Sequence, residues 1–452
     1  MLHAQASEAS HGELRSLAGA FVGDPFPSTY RPFSSQTVLI RNGVVLTGTG
    51  ERIDGGDVLL EDGRISAVGS GLQAPAGARV VEAERRWITP GVIDTHSHLG
   101  VYPSPGIAAV SDGNEMINPN TAEVWAEHAI WPHDPGFGHA LAGGVTSLHI
   151  LPGSANLFGG RGVTVKNVPA RTYQGMKFPG APHGLKMACG ENPKRVYGGM
   201  NRAPFTRMGN VAGYRAGWIA AQRYLDDWNR WESEGSQPED RPERNLQLET
   251  LAGVLRGEIL IQNHCYRADE MAIMMDVAQE FGYQISSFHH AVEAYKIRDL
   301  LRDGEICASV WADWWGFKLE AYDGILENAA LLHEAGACTV VHSDDGHGIQ
   351  RLNQESAKVM GAAAGHGIHI PEEEAISWIT SNAARAIGIQ EVTGSLEPGK
   401  NADVVVWSGN PFSVYSKAEL VFVDGALLYD RENPDPLIFG DFMLGILPGE
   451  VR

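Results

Sequence analysis

From about residue 145 to 387 the chain alternates short apolar, strand-like runs with longer stretches of helical periodicity, and few architectures accept that rhythm. The runs cover 145–151, 185–189, 259–263, 285–288, 308–311 and 339–341, and helical patterns cover 268–280, 291–301, 324–334 and 371–387. Strands that are each followed by a crossover helix build a parallel sheet, so the fold class is α/β. The length suits a distorted (β/α)8 TIM barrel over about residues 89–390.

The flanks read differently. Between residues 37 and 88, short β-branched runs are broken by Gly and Asp, and the same style returns only in 391–452. Such closely spaced strands suggest a small β-sandwich built from both chain ends, preceded by an N-terminal arm over 1–36. One segment breaks the barrel rhythm: 192–247 is an insertion whose Trp-rich part, 216–234, has the pattern of a long amphipathic helix, expected as a lid or a subunit contact. A homo-oligomer is the expected assembly.

Charge narrows the partners. With 35 Lys+Arg against 55 Asp+Glu, the net charge of −20 repels phosphate backbones and anionic lipid, so neither nucleic acid nor membrane is an expected partner. No apolar stretch reaches the roughly 18 residues of a spanning helix. The first ten residues lack the basic and apolar regions of a secretion signal, although Ala4-Gln5-Ala6 resembles a processed junction. The compartment stays open between cytoplasm and an exported, mature form. Cys189, Cys265, Cys307 and Cys338 show no paired spacing, and reduced core or site-lining thiols are expected.

The chemistry lies at strand ends. His96 and His98 follow the run Gly91-Val92-Ile93-Asp94, and alternate residues of a strand face the same side, so both imidazoles can reach one ion. His264 ends the run 259–263, His289 and His290 end 285–288, and His342-Ser343-Asp344-Asp345 ends 339–341. In a barrel these ends meet on the C-terminal face, where active sites form. Each residue alone is more often an ordinary polar side chain; together they favour a metal.

Three segments carry a resemblance. They are Pro90-Gly91-Val92-Ile93-Asp94-Thr95-His96-Ser97-His98, Ala142-Gly143-Gly144-Val145-Thr146-Ser147, and Asn382-Ala383-Ala384-Arg385-Ala386-Ile387-Gly388 followed by 394–403. From Thr37 onward the chain resembles the metal-dependent amidohydrolase superfamily, and within it the imidazolonepropionase-like group that includes Xaa-Pro dipeptidases. The resemblance implies one or two divalent ions, zinc first, with manganese, iron or cobalt also compatible. His96 and His98 match the strand-one pair, His264 the strand-five ligand and Asp344 the strand-eight aspartate. His290, three residues before Glu293-Ala294-Tyr295-Lys296, matches strand six, with His289 the runner-up. At strand four, Lys186 sits where many two-metal relatives carry a carboxylated lysine, while Glu191 offers a carboxylate directly. A buried ion-paired lysine and a loop cap are their plainer readings.

The implied activity is hydrolysis of a C–N amide bond, linear or cyclic, in a small molecule such as a dipeptide or an aryl amide, urea or carbamate. Asp344 would carry the proton, and His290 or Tyr266 would stabilise the oxyanion. Arg161, read as lying on a flexible Gly-rich loop, and Arg207 are candidates for a substrate carboxylate, and Trp314 for an aromatic wall. Two rivals remain: a deaminase of an aromatic amine, with Glu270 as its nearest candidate acid, and a barrel scaffold without catalysis.

Overall fold

The computed structural model describes residues 24–433, so parts of the expected arm and of the C-terminal segment, 1–23 and 434–452, lie outside the described residues. Five strands come first: β1 (Val38–Leu46), β2 (Arg52–Glu61), β3 (Arg64–Gly69), β4 (Arg79–Glu82) and β5 (Trp87–Pro90). Eight follow: β6 (Val92–Ser97), β7 (Val145–Ile150), β8 (Phe158–Lys166), β9 (His183–Ala188), β10 (Ile259–Cys265), β11 (Ile285–His290), β12 (Cys307–Val310) and β13 (Thr339–Val341). Then come β14 (Val404–Trp407), β15 (Ala418–Val423) and β16 (Ala426–Asp430).

The eight middle strands pair in chain order from β6 to β13. Strands such as β6, β7 and β12 are buried along their whole length, so their residues do not alternate between core and solvent. β6 pairs with β7 in parallel, and β9 to β13 form a continuous parallel set. Side-chain and backbone bonds span the gap between β13 and β6. The Asp344 N–H donates to the His96 carbonyl at 3.0 Å. The Asp94 carboxylate accepts from the Ser343 N–H at 3.1 Å and from its hydroxyl at 2.5 Å. A barrel-like sheet, nearly closed, is the result.

The third strand departs from expectation. Phe158–Lys166 was expected to begin as a flexible loop, yet it is β8, antiparallel to both β7 and β9. Its glycines hide it by removing the β-branched signal, and at Gly160 they are needed: φ is +109° and a Cβ there would meet the Val124 carbonyl at 2.4 Å.

The two chain ends share one sheet, in the order β16-β15-β14-β5-β1-β2-β3, with β4 also on β1. Where two packed sheets are expected, hydrogen bonding joins all eight strands. The Ala402 N–H to Gly63 carbonyl bond, at 3.0 Å, ties the approach to β14 to the turn between β2 and β3. Leu60 and Ile65 then share an apolar core with Val404 and Phe422, so the sheet is rolled around a single core.

In the insertion, the helix Arg207–Ser233 buries Tyr214, Trp218, Ala221, Tyr224 and Trp228, one side of an α-helical wheel. Trp218 lies 5.3 Å from Phe158 and 4.4 Å from Tyr283. That face covers the barrel wall.

The cysteines are paired, not reduced: Cys189 with Cys265 and Cys307 with Cys338. Linear spacing gives no hint, because strand register makes the pairs. Ala188 is opposite His264 across β9 and β10, and Ala308 opposite Thr339 across β12 and β13, so each Cys pair is one step along an adjacent ladder. Closing a loop of 31 residues restrains the unfolded chain, so the Cys307→Ser/Cys338→Ser variant is expected to lose about 3–4 kcal/mol. Urea unfolding measures this, and thiol titration of unreduced, unfolded protein should find no free thiol.

Candidate metal centre

The C-terminal tips of β6, β9, β10, β11 and β13 bring His96, His98, Lys186, His264, His290 and Asp344 around one point. His96 Nε2 is 3.3 Å and His98 Nε2 3.1 Å from Asp344 Oδ1. Lys186 Nζ is 3.0 Å from His96 Nε2. His290 Nδ1 is 3.9 Å from Asp344 Oδ2, and the His264 ring is 4.5 Å from that of His290. Ligand atoms of His96, His290 and Asp344 all fall within 4.8 Å of one another.

A hydrogen-bond chain sets how His96 presents itself. The Gln262 amide donates to the Ala386 carbonyl at 2.9 Å, which turns its Oε1 toward His289 Nε2 at 2.6 Å. His289 therefore donates from Nε2 and accepts at Nδ1, which lies 3.0 Å from His96 Nδ1. His96 must then carry its proton on Nδ1 and point the Nε2 lone pair at Lys186 and Asp344. Similarly, His98 Nδ1 donates to the Leu151 carbonyl at 2.8 Å and leaves Nε2 facing inward. His289 has both nitrogens engaged, whereas His290 Nδ1 and both nitrogens of His264 have no hydrogen-bond partner among the described residues.

Buried polar atoms are nearly always partnered, so several orphaned imidazole nitrogens at one point indicate a missing partner. Burial, followed by the Lys186 charge, pushes His96 well below its usual pKa; burial is also the largest cause for His264, His289 and His290. Neutral imidazoles are the form that binds a cation. Burial acts to raise the Asp344 pKa, but the close approach of His98, with His342 and Lys186 nearby, outweighs it and holds the carboxylate below its usual range. Burial brings Lys186 down to about 7, and no carboxylate lies within ion-pair distance of it among the described residues, so it is not the buried ion-paired lysine of the plainer reading. Backbone strain concentrates here too: His290, Ala291 and Asp344 have φ of +70°, +38° and +57°. Such conformations are rare in non-glycine residues and gather at functional sites.

Other expected residues lie elsewhere. Glu191 opens the helix Glu191–Gly199 with its carboxylate 4.0 Å from Lys318 Nζ, bonded to none of the histidines. Arg161 stacks on Trp125 at 4.2 Å and donates to Thr250 Oγ1 at 2.8 Å, and Arg207 is held by Glu270 at 3.0 Å and by Glu320. Both cations are already engaged, which the sequence could not show. Tyr266 is buried with its ring 4.8 Å from His264 and 5.3 Å from His290. Trp314 belongs to an aromatic stack: it lies 5.1 Å from Trp311, which lies 4.1 Å from His290. Asp94, Gln262 and Lys318 were missed. Gln262 had a signal, since it sits two residues before His264 on the same strand face.

The sequence profile of the Amidohydrolase family matches residues 318–429. A solved amidohydrolase from Thermotoga maritima is 34% identical, aligns over 87% of this chain and 100% of its own, and superposes with a TM-score of 0.80. Amidohydrolase tasK of Hapsidospora irregularis is 32% identical over 90% of the chain, which spans only 44% of that protein's length. Imidazolonepropionase of Mesorhizobium japonicum is 24% identical over 82% of this chain and 89% of its own.

Proposed function

Because the chain belongs to the amidohydrolase family, we propose that it hydrolyses a C–N amide bond of a small molecule, linear or cyclic, at the centre where β6, β9, β10, β11 and β13 meet. The carrying observation is the set of buried imidazole nitrogens of His264 and His290 that have no hydrogen-bond partner among the described residues, beside His96, His98 and Asp344. In this reading His96, His98, His264, His290 and Asp344 hold the metal, with Lys186 rather than Glu191 available as a carboxylated bridge to a second ion. Zinc is the first choice, with manganese, iron or cobalt compatible with the same donors. A divalent ion held there supplies Lewis acidity and lowers the pKa of water to about 7.

The side chains divide the remaining work. Asp344, kept ionised, takes the proton of the attacking water and returns it to the leaving nitrogen. Tyr266, whose ring stacks on that of His290, donates to the developing oxyanion in this reading, and the Trp311–Trp314 stack beside His290 supplies an apolar wall. A deaminase reading needs a free acid over the fifth strand. Glu270 instead pairs with Arg207 from the helix Ala268–Phe281, which favours the amide reading. Two disulfides favour the exported form over the cytoplasmic one; among the described residues, no helix is long and apolar enough to cross a membrane.

A panel of N-acyl amino acids, dipeptides, lactams, aryl ureas and aromatic amines tests the proposal. Amide turnover that stops on chelation and returns with added zinc or manganese is expected. Ammonia release from aromatic amines, with no amide cleaved, would replace this reading by the deaminase one.

A further inference from the structure

Beside the metal centre, one largely buried cation has no carboxylate closer than 4.0 Å among the described residues. Lys318 lies just before the short helix Leu319–Ala321, beyond the end of β12. Its side chain is only 15% exposed. Nζ sits 3.8 Å from the centre of the Tyr266 ring, 2.9 Å from Asn192 Oδ1 and 4.0 Å from Glu191 Oε1. Among the described residues no other carboxylate is within ion-pair distance. Glu320 and Asp344 act on the ammonium only from beyond that distance. Arg195, one turn along the helix from Glu191, is exposed and forms no ion pair among the described residues.

An ammonium has three donors, and here one is spent on a neutral amide while the nearest carboxylate stands off. Burying such a group without a close counter-charge is costly unless an anion arrives to share the site. Tyr266 links this ammonium to the metal centre, because the same ring packs on His264 and His290. Arg161 and Arg207, by contrast, are committed to Trp125 and Thr250 and to Glu270 and Glu320.

We infer that Lys318, oriented by Asn192, binds a carboxylate of the substrate while the scissile amide lies against Tyr266 and the histidines. N-acyl amino acids or dipeptides, rather than neutral ureas or lactams, are then the substrate class. This rests on the amide-hydrolase reading and deepens it.

The test compares an N-acyl amino acid or dipeptide with its own C-terminal carboxamide, using the wild type, Lys318→Met and Lys318→Arg. The wild type should prefer the acid. Lys318→Met should lower kcat/KM for the acid by roughly tenfold to a hundredfold, mainly through KM, and leave the carboxamide within about threefold. Lys318→Arg should recover part of the preference. An equal loss on both substrates in Lys318→Met that retains the wild-type melting transition would overturn the inference. Should Lys318→Met fail to fold, the arginine variant decides: retained acid preference supports Lys318, and loss of it in folded protein overturns it. Wild-type protein that cleaves only neutral ureas or lactams refutes this inference while the amide reading stands. Protein that only deaminates refutes both.

Discussion

Asp344→Asn is expected to lower kcat by about a thousandfold, within the range that a positioned general acid–base contributes, and to leave the chain folded. Asparagine has nearly the same shape and, like aspartate, tolerates the left-handed backbone that Asp344 adopts at φ +57°. The Asp344 N–H bond to the His96 carbonyl, which helps close the barrel between β13 and β6, does not depend on the side chain. What is lost is an ionised oxygen 3.1 Å from His98 and 3.3 Å from His96, and with it the proton carrier. Steady-state kinetics with circular dichroism measure the effect. A drop smaller than tenfold in folded protein would remove Asp344 from the proton path.

Lys186→Met should change the metal count as well as the rate. Methionine fills much of the same volume with no ammonium to bury, so the fold is expected to keep or gain stability. If Lys186, 3.0 Å from His96 Nε2, bridges two ions as a carbamate, its loss takes the metal content from two per chain to one. Activity should then fall by at least the 10- to 100-fold that losing a ligand's supporting partner costs. Elemental analysis beside the wild type is the readout. Two ions per chain in both proteins would make Lys186 a spectator, and one in both would make the site mononuclear.

The strands that carry the candidate ligands were legible because each reads as a short apolar run ending in histidine or His-Ser-Asp, and burial on both faces makes such runs continuous. What was not legible depended on who stands beside whom. β8 looked like a loop because its glycines serve close backbone approach at Val124 instead of side-chain packing. The cysteines looked unpaired because their partners come from neighbouring strands, 76 and 31 residues away. Neighbouring His289 and His290 were ranked by the resemblance alone, from the position of His290 three residues before Glu293. Only the bond from Gln262 shows that the first of them has both nitrogens occupied. Arg161 and Arg207 were reasonable anion binders until their partners were seen, and Lys318 stood out only through its position over Tyr266.

The central claim is that these residues hold a catalytic metal. Elemental analysis of the purified protein, coupled to an amide-hydrolysis assay before chelation, after it, and after adding zinc or manganese back, tests it most directly. The account predicts one or two divalent ions per chain, loss of turnover when they are stripped and recovery when they return. Full activity in metal-free protein would contradict it.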